Sequence, residues 1–276
     1  MAFAYEDYQN SARYIQSRLN GFVPDILMIL GSGLGFMGDI VENPVYVEYG
    51  DIPNFKISTA PGHRGRFVFG TLCGKKVAVM QGRMHSYEGY TPEEIIFPVR
   101  VMKLVGAKII IVTNAAGLVN PNWEPGDIML ITDHIKLCLT SPLAGPNLEE
   151  FGTRFPDMTT AYSKRLAEYA RAAAKTVGLP LREGVYMFFP GPQFETPAEV
   201  RCAKILGTDT TGMSTVFEVI AAAHCGMETL GFSLCTNWAA GITGEKLSGE
   251  DVNQVADASE AKFSGFMKEV LRKIEI

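Results

Sequence analysis

Val77-Ala78-Val79-Met80-Gln81-Gly82-Arg83-Met84-His85-Ser86-Tyr87-Glu88-Gly89-Tyr90 joins an apolar run of strand length to a cluster of polar chemistry. The valine-rich run reads as a buried strand that stops at a glycine. A guanidinium, an imidazole, a phenol and a carboxylate follow within six residues. Groups of this kind cost stability when buried unless they are paired. Four of them just beyond a strand's carboxyl end suggest a site for something anionic and hydroxylated. Taken alone, the segment is equally readable as a surface ion pair of Arg83 and Glu88, with His85 and Tyr87 half-buried beside it. The choice depends on whether other strand ends repeat the pattern.

Apolar runs of similar length recur at 26–30, 109–112, 128–131, 185–189 and 230–235. Helical patterns lie between several of them, at 92–104, 160–177, 197–206 and 215–225. An amphipathic helix near 4–19 opens the chain, and one from Ser248 or Gly249 to Ile274 closes it. Thr196-Pro197 supplies an N-cap and first-turn pair for the helix at 197. Strands interleaved with helices predict an α/β fold whose central, largely parallel sheet is flanked by helices on both faces. Closely spaced runs between 45 and 80 predict a meander, so the sheet is expected to be mixed. No repeat, low-complexity tract or linker divides the chain, and a single domain over 1–276 is expected.

The strand ends repeat the design. They carry Gly31-Ser32-Gly33-Leu34-Gly35, Thr113-Asn114-Ala115-Ala116-Gly117, Pro190-Gly191-Pro192-Gln193-Phe194-Glu195, Gly212-Met213-Ser214-Thr215 and Thr236-Asn237-Trp238. Open α/β sheets bind ligands beyond the carboxyl ends of their strands, so these segments describe one cleft. The glycine loop has the backbone freedom and free N–H groups to wrap an anion, although alone it serves equally as a tight strand-to-helix turn. It is not a dinucleotide fingerprint and lacks the Gly-Lys-Ser/Thr of a triphosphate loop. Beside Arg83, His85 and the Ser214 hydroxyl, a small inorganic oxyanion is the economical ligand.

Composition narrows the function classes. A content of 47% hydrophobic and 20% charged residues suits a globular protein with a substantial core. With 25 basic against 30 acidic residues, the net charge of −5 gives no support to a nucleic-acid partner. The opening stretch carries charges throughout and lacks the apolar core of a signal peptide, and no run approaches membrane-spanning length. Five cysteines without a pattern are expected to be reduced thiols in the cytoplasm, mostly filling the core. Four scattered histidines, His63, His85, His134 and His224, give no metal-ligand spacing.

Taken together, Leu30 to Gly35, Gly82 to Gly89, Thr113 to Gly117, Gly191 to Thr196, Gly212 to Thr215 and Thr236-Asn237 closely resemble the purine nucleoside phosphorylases of the low-molecular-mass, homotrimeric class. The resemblance covers nearly the whole chain. It implies a phosphorylase/hydrolase-like fold and a pentosyltransferase of purine salvage. The reaction would be reversible phosphorolysis of 6-oxopurine ribo- and deoxyribonucleosides, with inorganic phosphate as co-substrate and no cofactor. By the resemblance, Ser32, His63, Arg83, His85, the backbone N–H of Ala115 and Ser214 hold phosphate. Ribose lies between Tyr87 and Met213, Phe194 flanks the base, and Glu195 and Asn237 read it. Phe155 reaches into the neighbouring subunit's site, which implies a trimer.

The chemistry follows from the residue types. Breaking the C1′–N9 bond builds positive charge on ribose and negative charge on the departing purine. A phosphate dianion offsets the first and supplies the nucleophile. Asn237, donating to N7, stabilises the second. Glu195 accepts from N1–H, which favours 6-oxopurines over adenine, and Glu88 orients His85. Residue by residue, other readings stand beside these: Met213 as core filler, Phe194 and Phe155 as core aromatics, His63 as a turn histidine, and Glu195 as a favourable charge near a helix N-terminus. Two departures from the family's pattern stand out. Gly249 replaces the histidine that meets the ribose 5′-hydroxyl, and Phe217 replaces a proline at the start of a helix. A methylthioadenosine phosphorylase, a noncatalytic nucleoside-binding protein and a hydrolase are the rival readings. Glu195, Asn237 and the phosphate ligands weigh against them.

Overall fold

Ile26–Ile29 form the strand β1, and these four buried residues face two ways. Leu27 and Ile29 join one hydrophobic core, while Ile26 and Met28 join a second on the opposite face. A strand's period of two demands this division once both faces are covered. The computed structural model describes residues 3–60 and 62–276. Met1, Ala2 and Pro61, the last from the histidine-bearing turn, lie outside the described residues.

Chain order runs from α1 (Tyr5–Arg18) through β1, β2 (Glu42–Glu48), β3 (Arg66–Leu72), β4 (Lys75–Gln81) and α2 (Pro92–Val105) to β5 (Ile109–Leu118) and β6 (Ile128–Lys136). It continues with α3 (Lys164–Val177), β7 (Arg182–Phe188), α4 (Pro197–Ile205), β8 (Thr210–Gly212), α5 (Val216–His224), β9 (Glu228–Trp238) and α6 (Gly249–Lys273). The strands form one sheet in the order β2-β3-β4-β1-β5-β8-β7-β6-β9. Pairing of β5 with β9 closes the last five into a barrel. The expected meander is β2-β3-β4, antiparallel throughout. Parallel pairs join β1 to β4 and β5, β6 to β7, and β7 to β8, so the sheet is mixed as expected. Residues of α1, α2 and α5 pack in the first core, and those of α3 and α6 in the second.

Several expectations need correction. The helix expected over 160–177 starts at Lys164, because the Ser163 hydroxyl accepts the Leu166 N–H at 3.3 Å and fixes the start there. Only Cys225 and Cys235 are buried; Cys73 and Cys138 are half-buried and Cys202 is exposed, so core filling describes a minority of the thiols. The strands β5 and β9 outrun their apolar cores, because barrel closure pairs their polar ends: Gly117 lies opposite Asn237 and Leu118 opposite Trp238. Thr196 caps α4 as expected, accepting from the Glu199 N–H. No helix among the described residues is long and apolar enough to cross a membrane.

Candidate active site

A cleft of about 390 Å³ opens over the carboxyl ends of the central strands. Ser32, His85, Tyr87 and Ala115 line it, together with Phe194, Glu195, Met213, Ser214 and Asn237 from the later strand ends. Segments separated by two hundred residues of sequence thus meet in one place, as the repeated strand-end pattern required.

The glycine loop reaches the cleft by close contact with β5. A Cβ at Gly31 would lie 2.6 Å from the Cα of Asn114, and the Gly31 N–H donates to Thr113 Oγ1 at 3.0 Å. Past this contact the chain passes Ser32 and enters a 3-10 turn at Gly35–Gly38. Asn114 donates from Nδ2 to Thr215 Oγ1 at 2.9 Å, tying β5 to the start of α5. Thr215 itself has φ 76° and ψ −49°, and the Val216 N–H bonds back to the Ser214 carbonyl at 2.8 Å. This is a γ-turn with a positive central φ, a strained conformation that its surroundings must hold. The turn presents the Ser214 and Thr215 hydroxyls side by side.

Arg83 approaches those hydroxyls from behind. Its side chain is 1% exposed and does not line the cleft. One terminal nitrogen donates to Ser214 Oγ at 2.7 Å and Thr215 Oγ1 at 3.0 Å, and its Nε lies 3.3 Å from Glu218 Oε1 in a buried ion pair. His85 stands at the cleft wall. Its Nδ1 lies 2.9 Å from Glu88 Oε1, and its ring stacks on that of Tyr87 at 4.6 Å and on that of His63 at 5.3 Å. Burial alone would raise the Glu88 carboxyl, but hydrogen bonds from His85 and Thr59 prevail and hold it down at about 2. Burial raises the Tyr87 phenol to about 12, so it stays protonated at neutral pH.

His63 is set apart. It lines a neighbouring cavity of about 420 Å³ on the far side of the glycine loop, with Arg64 and Asp39. Burial, then the nearness of His85, lowers it to about 4, so the ring is neutral at pH 7. Its Nδ1 faces Ser58 Oγ at 2.8 Å and the Arg83 carbonyl at 3.1 Å, while its Nε2 is buried without a protein partner. Phe155 is also apart: it is 87% exposed and absent from the cleft of its own chain.

A second cluster surrounds Gly117. The position a Cβ would take there is 3.2 Å from Thr211 Oγ1 and 3.5 Å from Asn237 Nδ2. The Thr211 hydroxyl in turn serves Glu195, whose carboxyl burial pushes up against that hydrogen bonding. Asn114 and Gly117 are three residues apart on β5, so the hydroxyl-and-cation cluster and the carboxylate-and-amide cluster are separated by roughly 10 Å. Asn237 owes its place to a bulge. Ala116 pairs with Cys235 and Gly117 with Asn237, leaving Thr236 as the extra residue on β9. Consecutive Thr236 and Asn237 therefore both line the cleft, where an unbroken strand would send them to opposite faces. Thr236 Oγ1 donates to Asn237 Oδ1 at 3.0 Å and fixes the amide. Met213 is seated because position 191 is glycine: a Cβ there would lie 2.4 Å from the Met213 Sδ. Gly249, Val252 and Asn253, from the first turns of α6, complete the lining.

Sequence reasoning assigned no role to Glu218, Thr211, Thr215 or Thr236. Glu218 had a usable signal, as a lone carboxylate in Val216-Phe217-Glu218-Val219-Ile220, where a buried charge needs a partner. Phe217, in the position of the family's proline, is buried and packs on Phe188 with ring centroids 4.9 Å apart.

Known proteins match this arrangement closely. Residues 25–272 match the family model described as the phosphorylase superfamily. Purine nucleoside phosphorylase 1 of Geobacillus stearothermophilus is 51% identical over 251 residues, covering 91% of this chain and 92% of the relative. The mouse purine nucleoside phosphorylase is 49% identical over 240 residues, covering 85% of this chain and 83% of its own. The solved structure of Schistosoma mansoni purine nucleoside phosphorylase in complex with inosine superposes with a TM-score of 0.95 at 38% identity, covering 100% of this chain and 99% of that one. The chain belongs to the phosphorylase superfamily, as a purine nucleoside phosphorylase.

Proposed function

We propose that the protein cleaves 6-oxopurine nucleosides with inorganic phosphate, as one catalytic domain over 1–276 that needs no cofactor. The supporting observation is the pairing of two clusters in one cleft: hydroxyls backed by a buried cation, and an amide beside a buried carboxylate about 10 Å along β5. Phosphate sits against Ser32, His85, the Ala115 N–H and the Ser214 hydroxyl, with Arg83 behind. His63 closes this site from the neighbouring cavity. Ribose lies between Tyr87 and Met213, with Phe194 along the base.

In the reaction a phosphate oxygen bonds to C1′ as the C1′–N9 bond breaks and the bonding electrons leave with the purine. The bound dianion offsets the positive charge that develops on ribose. The Asn237 amide, held by Thr236, donates to N7 as negative charge arrives there. Glu195 accepts from N1–H. Adenine has no proton at N1, so a carboxylate there discriminates against adenosine.

The protein works in purine salvage in the cytoplasm, as a homotrimer in which Phe155 of each subunit borders its neighbour's ribose site; its exposure is the supporting fact. Its partners are nucleosides, phosphate and copies of itself, with no nucleic acid or membrane. The decisive experiment is release of hypoxanthine from inosine with and without phosphate, with adenosine run alongside. Release that needs phosphate and far exceeds that from adenosine is expected. Release without phosphate would turn the reading to a hydrolase.

Gly249 bears on the ribose 5′ end. It lines the cleft, and beyond its chain neighbours and the backbone of its own helix no atom lies within 4 Å of where its Cβ would stand. Inosine and 5′-deoxyinosine are therefore expected to have kcat/KM values within about tenfold, the loss of one neutral hydrogen bond at most. A preference for inosine above a hundredfold would refute the open 5′ end.

A further inference from the structure

Glu218 and Arg83 form a buried ion pair behind the two hydroxyls of the γ-turn, with the facing side chains 3% and 1% exposed. The guanidinium meets a partner on each side, although its Nε–H is not aligned for a hydrogen bond and Glu218 meets it as an ion pair alone. Nε faces Glu218 at 3.3 Å, one terminal nitrogen serves Ser214 and Thr215, and the other points to the Ile29 carbonyl at 3.4 Å. Two consequences follow for an anion arriving at Ser214. The cation behind it is aimed by Glu218, and its charge is largely cancelled by Glu218. The other fixed charge at this wall, on Glu88, faces the His85 ring.

Given the phosphorolysis proposed above, on which this inference rests, we propose that Glu218 is a positioning residue that aims Arg83 at the Ser214–Thr215 turn and tempers its charge. A bare cation at this depth would attract phosphate more strongly, and would hold the sugar phosphate product as firmly. With Glu218 in place, the anion is gripped mainly by hydroxyls and N–H groups and is released after each turnover.

The Glu218→Gln variant keeps the shape and an oxygen beside Nε while removing the charge. Its KM for phosphate is expected to fall about tenfold, from loss of a carboxylate several ångströms behind the anion at an effective dielectric constant near 20. Its kcat is expected to fall as well, because product leaves more slowly, while the KM for inosine stays near that of the wild type. A phosphate KM that is unchanged or raised in the folded variant would overturn the proposal. If Glu218→Gln does not fold, the Arg83→Met and Glu218→Met changes, singly and together, supply the test by thermal unfolding. The double variant is expected to melt above both single variants, since each of those buries an unpaired charge. A double variant no more stable than either single one would refute the pairing. A wild-type enzyme that releases base without phosphate would instead overturn the phosphorolytic reading, and the unfolding comparison would still report on the pair.

Discussion

In the proposed reaction Asn237 and Glu195 meet the base with unlike chemistry, and each is expected to leave its own signature when removed. Asn237 acts where charge appears only as the bond breaks. The Asn237→Ala variant is expected to lose about a hundredfold or more in kcat, with phosphate KM changed less than about threefold. Parallel losses in steady-state kinetics would argue against a leaving-group role. Glu195, in the same proposal, holds the ground-state base as well. Glu195→Gln should cut kcat/KM for inosine by about ten- to a hundredfold, the worth of a hydrogen bond to a charged acceptor, and should narrow the gap to adenosine. Glu88 gives a pH signature. Its native carboxyl titrates at about 2, below its ordinary 4.5, so the unfolded chain binds its proton first. Its stabilisation is complete above 4.5 and is lost as pH falls towards 2. The gap in melting temperature between wild type and Glu88→Gln should therefore be constant above about pH 5 and close as pH approaches 2. At this scale the sequence was most legible where polar groups follow apolar runs, as at Arg83, His85 and Asn237. It was least legible for Thr211, Thr215 and Thr236, whose hydroxyls matter only through neighbours distant in sequence.

Elements are placed by rules of different range. Helices that begin at a Thr or Ser cap, such as α2 and α4, were readable because the cap and the helix are local. The start of α3 is set as locally, by the Ser163 hydroxyl, which places it at Lys164 and not at the expected 160. The Ser163→Ala variant, far from the cleft, should lower unfolding free energy by about 1 kcal/mol in a denaturant titration and leave kcat unchanged. The three-residue strand β8 left no periodic trace, since its existence depends on pairing with β5 and β7. The polar ends of β5 and β9 look like loops in the sequence for the same reason.

The whole molecule divides its labour between an open sheet and a closed barrel. The meander and β1 deliver the glycine loop, Arg83 and His85. The barrel strands deliver Ala115, Asn237 and the turn at Ser214. Composition and periodicity made the α/β architecture with helices on both faces legible, but closure of the barrel was not, because one β5–β9 pairing produces it and no local signal marks it. Phe155 belongs to this scale too. The Phe155→Ala variant should keep its melting temperature, since an exposed ring contributes little to its own fold. It should raise the KM for nucleoside if Phe155 serves a neighbour. Light scattering that gives a monomer for a fully active enzyme would exclude the shared site.

The bulge at Thr236 gives the gene an unusual point of fragility. Loss of that single codon would leave Asn237 opposite Gly117 in an unbroken ladder and still facing the cleft, but without the Thr236 hydroxyl that holds its amide oxygen.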